Sequence, residues 1–420
     1  MNTKPFELYE SEVRSYCRHF PAVFARAKDC FIFDEDGKRY IDFFCGAGAL
    51  NYGHNNEYIK KDVLEYLEGD GLMHALDLYT VPKRRFISTF EEKVLKPRGL
   101  DYRIQFTGPT GTNANEAALK LARKVTGRTN VFAMMGAFHG MTLGSLAITT
   151  DQSHRKGSGV PLTNATFIPA PYMYPELDTI AYMRDLLEDD HSGAEKPAAL
   201  FVETLQAEGG INVMSSEWLR AAYDLCREYG ILFVVDDIQV GCCRTGEFFS
   251  FERAGIQPDI VTMSKSIGGY GFPLALVLIK PEYDIWAPAE HNGTFRGNQL
   301  AFVAANAGLE YMLDNKIEEH VREMETVAHD FIAREILPLD SRLAARGRGL
   351  IWGIDCSKIP ADGFSGRVLD RCFGKDLIIE SCGRKGSVVK IMPPLVIEKD
   401  ILLKGLEIVR DSIAEELKTL

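Results

Sequence analysis

A chain of 420 residues, 46% hydrophobic and with a net charge of −11, exceeds one ordinary hydrophobic core and has the apolar content of a globular protein. The acidic balance, with no basic tract, argues against nucleic acid or an anionic membrane surface and favours a small molecule as ligand. No apolar run approaches a membrane span, the start lacks the regions of a signal peptide, and the nine cysteines lack metal-ligand spacing, so a cytosolic, reduced, metal-free protein is expected.

Apolar runs alternate with amphipathic helical patterns from about residue 100 to residue 280, an α/β signature. Strands are predicted at residues 103–106, 131–134, 199–203, 231–235, 259–263 and 274–279. Their near-continuous apolar character fits a mainly parallel sheet buried on both faces. Residues 216–229 place Leu219, Ala222, Leu225 and Cys226 on one side and stop at Gly230, which predicts a helix covering one face of that sheet. Helices at 301–313 and 317–337, a strand at 349–355 and a last helix from 399 follow. The expected division is an N-terminal segment (1–60) joining the small domain, a large domain (61–312) and a smaller α+β domain (313–420).

Thr107-Gly108-Pro109-Thr110-Gly111-Thr112-Asn113 follows the first of these strands and opens a helix. Gly111 lets the backbone approach a phosphate closely, and free amides with the helix macrodipole favour a doubly negative group. Ordinary capping, with Asn113 as N-cap and Glu116 at N3, explains this piece alone equally well. Neither a Gly-Lys-Ser/Thr loop nor a Gly-x-Gly-x-x-Gly fingerprint is present, which excludes the common nucleotide loops. Phe138 and His139 come directly after the strand at 131–134, where strand ends deliver side chains into a crevice and an aromatic can stack on a planar ring. A core phenylalanine and a capping histidine are the plain alternative.

Asp236 ends the apolar run 231–235, and Lys265 follows the run 259–263. A lysine amine to hold an aldehyde covalently, with a carboxylate to keep a pyridine nitrogen protonated, is the pair that pyridoxal phosphate chemistry needs. A strand-end cap would account for Asp236 but leaves Asp237 and Gln239 unexplained. Ile238 is placed to pack on the ring face opposite Phe138, and Gln239 to hydrogen-bond the phenolic oxygen. Desolvation beside a cationic ring would lower the pKa of Lys265, as a nucleophile and proton shuttle requires.

In their order and spacing these residues resemble the class III (ω-amino acid) pyridoxal-phosphate-dependent aminotransferases of fold type I, over nearly the whole chain. The resemblance rests on these motifs together with Gly46-Ala47-Gly48-Ala49-Leu50-Asn51-Tyr52-Gly53-His54, Val202-Glu203, Gln206-Ala207-Glu208-Gly209-Gly210, Arg244-Thr245-Gly246, Asn292-Gly293-Thr294 and Pro393-Pro394-Leu395. It implies a large domain with a mainly parallel central sheet plus a smaller α+β domain. It also implies Gly111 and Thr112 on the cofactor phosphate, Phe138 stacked on the ring, with His139, Glu203 and Ile238 beside it. Asp236 would meet the ring nitrogen, Gln239 the phenolic oxygen, and Lys265 would be the covalent lysine. Thr294 would reach the phosphate of a neighbouring subunit, implying a homodimer or a higher homo-oligomer with shared active sites.

Within the class the chain looks most like the diaminobutyrate:2-oxoglutarate aminotransferases of ectoine biosynthesis. Val13-Arg14-Ser15-Tyr16-Cys17, Leu95-Lys96-Pro97-Arg98-Gly99-Leu100-Asp101-Tyr102 and His291-Asn292-Gly293-Thr294-Phe295-Arg296-Gly297-Asn298 carry that likeness. Three departures stand out: Ala207 and Cys243 replace glycines usual in the class, and Lys390 stands where many relatives carry the arginine that grips an α-carboxylate. Lys390 keeps the charge but not the bidentate fork, and Glu208 is the residue that pairs with that arginine in relatives. A solvated strand lysine is the plain alternative for Lys390.

The expected reaction moves the terminal amine of L-2,4-diaminobutyrate, or a similar ω-amino acid, to 2-oxoglutarate. Ala207 and Cys243 motivate a rival, a relative doing β- or γ-elimination, replacement or carbon–carbon bond formation on an α-amino acid. A catalytically silent cofactor-binding module is the third reading, opposed by the joint presence of Lys265, Asp236 and Gln239.

Overall fold

A computed structural model describes residues 2–420. Its strands, in chain order, are β1 (Phe24–Lys28), β2 (Phe31–Asp34), β3 (Arg39–Asp42), β4 (Arg103–Phe106), β5 (Val131–Met134), β6 (Ala165–Ile168), β7 (Ala199–Val202), β8 (Leu205–Gln206) and β9 (Asn212–Val213). There follow β10 (Leu232–Asp236), β11 (Ile260–Met263), β12 (Leu276–Ile279), β13 (Ala344–Arg348), β14 (Ile351–Asp355), β15 (Leu377–Ile378), β16 (Glu380–Cys382) and β17 (Val388–Ile391).

The central sheet has seven strands in the order β4-β12-β11-β10-β7-β5-β6. All pairings are parallel except the two made by β12, which runs against both β11 and β4. Alternate residues feed two separate cores, as the two-residue period of a strand requires. Phe132, Met134, Leu200, Val202, Phe233, Val235, Val261 and Met263 face one core. Val131, Ala133, Ala199, Phe201, Leu232, Val234 and Ile260 face the other. Each fully buried phenylalanine or valine contributes roughly 1.5–3 kcal/mol of transfer free energy.

A helix seals each face. Gly111–Thr126 lays Ala114, Ala117, Ala118, Leu121 and Ala122 on the second core, small residues that let its axis lie close to the sheet. Ser216–Tyr229, the helix expected from periodicity, buries Trp218, Leu219, Ala222, Leu225 and Cys226 in the first core. Ser215 Oγ caps it by accepting from Trp218 N at 3.1 Å, and Gly230 ends it at φ +58.

Several expectations shift. The edge strand β6 was not anticipated, and Asp236 is the last residue of β10 rather than the first beyond it. Residues 317–337 form a helix only to Phe331, continued by a wider π turn over Ile332–Ile336. The helix at Gly111 is capped by Thr110, whose N–H and hydroxyl donate to Asn113 Oδ1 at 3.3 and 2.9 Å. Asn113 is therefore N3 rather than N-cap, and Glu116 is free to bind elsewhere.

Three smaller sheets complete the described residues, one of them the two-stranded β8–β9 pair. The antiparallel β13-β14-β17-β16 sheet lies in the C-terminal third, while β1-β2-β3 is extended by β15 running parallel to β3. That last pairing, Leu377 with Ile41, joins the chain's beginning to its end. Among the described residues no helix is long and apolar enough to cross a membrane.

Candidate active site

The carboxyl ends of the parallel strands converge on one edge of the sheet, where open α/β folds bind their ligands. β5 leads to Phe138 and His139, β7 to Glu203, β10 ends on Asp236, β11 leads to Lys265, and β4 runs into the turn before Gly111. Asp236 and Thr262 are paired positions on adjacent strands, so Lys265 emerges beside the carboxylate.

Asp236 is 5% exposed. Its Oδ2 accepts from Asn115 Nδ2 at 2.8 Å and lies 2.7 Å from His139 Nδ1, while Oδ1 accepts from Ile238 N at 3.2 Å. Asn115 sits on the sheet-facing side of its helix, where it also donates to the His139 carbonyl at 2.7 Å and accepts from Thr262 Oγ1 at 2.9 Å. Burial pulls the pKa of His139 down, but the hydrogen bond and charge of Asp236 outweigh it and leave the imidazole raised.

Lys265 adopts φ +54, a left-handed conformation that costs a non-glycine residue roughly 1–2 kcal/mol. Its amine makes no hydrogen bond or ion pair among the described residues. Burial lowers its pKa, opposed by the charge of Glu208. The lysine is thus held strained, desolvated and unpartnered beside Asp236.

Glu203, 7% exposed, accepts from Phe138 N at 2.9 Å. Burial pushes its pKa up to about 8. Gly111 faces Ile238 so closely that a Cβ there would lie 2.8 Å from Ile238 Cδ1. Thr112 Oγ1 contacts Thr142 Oγ1 at 2.6 Å, and Thr142 in turn donates to Glu116 Oε1 at 2.6 Å.

Lys390 is fully buried rather than solvated, against the plain strand-lysine reading. Its Nζ lies 2.7 Å from Glu208 Oε1 and 2.6 Å from Glu380 Oε1. Glu208 is pulled to a pKa of about 2, since Lys390 and Lys265 overcome the effect of its burial.

The class-III aminotransferase family matches residues 13–413. The chain belongs to the class-III aminotransferases. It is 50% identical over 99% of its length to a diaminobutyrate–2-oxoglutarate transaminase from Halalkalibacterium halodurans, covering 97% of that protein. It is 51% identical over 98% of its length to one from Streptomyces coelicolor, again covering 97% of it. Its fold is that of fold type I: the ornithine aminotransferase of Toxoplasma gondii superposes with a TM-score of 0.86 at 24% identity, covering 99% of this chain and 94% of that one.

Pyridoxal phosphate is the cofactor of this class, and the aminotransferase's own residues fit it. The unpartnered Lys265 amine beside a buried carboxylate leaves bonding capacity that an aldehyde and a ring nitrogen would use. Gly111 lets the helix start pack directly against Ile238, since a Cβ there would clash with that side chain.

Of the expected site residues, the chain brings Gly111, Thr112, Phe138, His139, Glu203, Asp236, Ile238, Gln239, Lys265, Glu208 and Lys390 to this edge. Gln239 donates its Nε2 to Ala47 O at 2.9 Å, tying it to the N-terminal segment. Thr294 stands apart: it is exposed, and its carbonyl lies 2.9 Å from His74 Nε2. Asn115 and Glu380 were missed. Asn115 could have been found from its helical phase with Ala118 and Ala122, and Glu380 from its place opposite Lys390 across β16 and β17.

Proposed function

We propose that this aminotransferase moves the terminal amino group of L-2,4-diaminobutyrate to 2-oxoglutarate, reversibly with aspartate 4-semialdehyde and glutamate. The observation that carries the reading is identity near 50% over almost the full chain to transaminases of that name, combined with a free, desolvated lysine beside a buried carboxylate. The pyridoxal group supplies an aldehyde that condenses with amines and a ring that withdraws electrons from the reacting carbon.

The protein's part is binding, orientation and proton movement. Asp236, fixed by Asn115 and His139, would hold the ring nitrogen. Phe138 and Ile238 would bracket the ring, with Glu203 fixing the Phe138 backbone, and Gln239 would meet the phenolic oxygen. Gly111 and Thr112 would hold the phosphate at the helix start, where first-turn amides lack partners within the helix. Lys265 Nζ, its pKa lowered by burial, would accept a proton from the substrate carbon and return it. Lys390 would attract a carboxylate of the oxo acid.

A homodimer belongs to the same proposal, because Thr294 and Phe295 are exposed on a segment whose neighbours Leu76, Leu78 and Tyr79 are exposed too. Thr294 would complete the phosphate site of a second copy. A cytosolic setting is supported by nine unpaired cysteines, of which only Cys17 is exposed. The rival reactions gain nothing from the geometry. Ala207 packs with Ile211, Val240 and Met392, and Cys243 Sγ sits 3.1 Å from Met312 Sδ.

The test is a donor panel with 2-oxoglutarate, following glutamate. Diaminobutyrate is expected to be the best donor. Glutamate formed from ornithine or 4-aminobutyrate but not from diaminobutyrate would overturn the proposal.

A further inference from the structure

One lysine cannot neutralise two carboxylates. Lys390 Nζ lies between Glu208 and Glu380 at 2.7 and 2.6 Å, so the cluster carries one surplus negative charge when both acids are ionised. Glu380 is 9% exposed, and its carboxylate is paired with Lys390 alone among the described cations. It occupies the position directly opposite Lys390 across the β16–β17 ladder, so both side chains leave the sheet on the same face. Both carboxylates lie within electrostatic reach of Lys265, which places the surplus charge near the reacting amine.

A second buried carboxylate is not needed to pair the lysine. Glu208 alone does that, and burying a further acid without compensation is strongly unfavourable. A carboxylate kept there at such a cost is compensated when a cation from outside joins it. Tyr16 and Cys382, which face the cluster, are neutral, and among the described residues Lys390 is the one cation in ion-pair contact with the two acids.

We propose that Glu380 is a specificity-determining residue that receives the second, non-reacting ammonium group of a diamino substrate. The inference rests on the proposed diamine reaction and names how that substrate is told from one with a single amine. A donor such as 4-aminobutyrate has the same terminal amine and carboxylate but no cation at that position. It leaves the surplus charge uncompensated, whereas L-2,4-diaminobutyrate brings a charge-assisted hydrogen bond to Glu380.

The experiment compares the two donors in the holoenzyme and in Glu380→Gln and Glu380→Asp. Glu380→Gln is expected to lower kcat/KM for diaminobutyrate by roughly tenfold to a hundredfold, the value of one hydrogen bond to a charged group. Its kcat/KM for 4-aminobutyrate is expected to stay the same or rise, while Glu380→Asp keeps the diamine preference. Calorimetric titration of the unmutated holoenzyme with propane-1,3-diamine and with propylamine supplies a readout independent of turnover and of the variants' folding. Tighter binding of the diamine is expected. Equal binding of the two amines, or a Glu380→Gln enzyme that keeps the wild-type donor ratio, would overturn the inference while leaving the diaminobutyrate reaction standing. A wild-type enzyme that does not use diaminobutyrate at all would instead remove the reading beneath it.

Discussion

His139 presents Nδ1 to Asp236 Oδ2 at 2.7 Å with both side chains buried, and Asn115 Nδ2 reaches the same oxygen at 2.8 Å. The carboxylate proposed to meet the ring nitrogen is thereby fixed from two elements, a loop after β5 and the first turns of the Gly111–Thr126 helix. A side chain whose rotamer is locked this way needs no reorganisation when it meets a cation.

Asn115→Ala should therefore cost more than an ordinary helix substitution. It leaves Thr262 Oγ1 without its acceptor and the His139 carbonyl without a donor, a loss of about 1–3 kcal/mol. We expect a lower denaturation midpoint and weaker pyridoxal phosphate retention, read by equilibrium dialysis. Wild-type cofactor affinity in this variant would mean that His139 and the Ile238 N–H position Asp236 without Asn115.

Glu203 links stability to pH. Its folded pKa, pushed by burial to about 8, lies above its ordinary value of 4.5, so the folded state holds a proton that the unfolded chain gives up. The contribution is fully favourable below pH 4.5 and is lost as pH rises through about 8, a change on the order of a few kcal/mol. Glu203→Gln keeps an acceptor for Phe138 N and removes the ionisation. Thermal melts at pH 5 and pH 9 should show the variant gaining on the wild type only at the higher value. An equal difference at both would show that Glu203 does not titrate in this window.

The sequence carried the strands that matter most for the site, and the reason is physical. β10 and β11 are buried on both faces, so apart from Thr262 and the terminal Asp236 their residues are apolar, and the polar residues at and just past their ends, Asp236 and Lys265 among them, mark where the runs stop. The helix Ser216–Tyr229 was equally legible because Ser215 and Gly230 punctuate it. β6 was not, since an edge strand of four residues with only Ile168 buried has no continuous apolar signal. Asn115, Glu380 and the burial of Lys390 depend on contacts between elements distant in the chain, and no local pattern announces them.

Arg244 shows how such distant contacts join the molecule. Fully buried, it donates to Leu350 O at 2.9 Å, Pro393 O at 2.5 Å and Asn51 Oδ1 at 2.6 Å, so one guanidinium binds the N-terminal segment, the centre and the C-terminal third. Lysine cannot reproduce that fork. Arg244→Lys is expected to lose roughly 2–4 kcal/mol, because buried carbonyls go unmatched and a charge is left poorly paired. Chemical denaturation measures it, and a loss under about 1 kcal/mol would show that the three acceptors find other donors.

Cys243 offers a test of backbone strain. It stands at φ +72, next to Cys242 at φ +52, in the left-handed region that glycine adopts without penalty. The cost to a side-chain-bearing residue there is roughly 1–2 kcal/mol. Against it stands the packing of a fully buried thiol on Met312. Cys243→Ala removes the sulfur but keeps the strain, whereas Cys243→Gly removes more buried surface and relieves the strain. The two effects nearly cancel in the glycine variant, so it should be no less stable than the alanine variant despite the larger truncation. Denaturant midpoints with unchanged slopes decide the matter. A glycine variant weaker than the alanine one by more than about 1 kcal/mol would mean that Cys243 is held in place without stored strain.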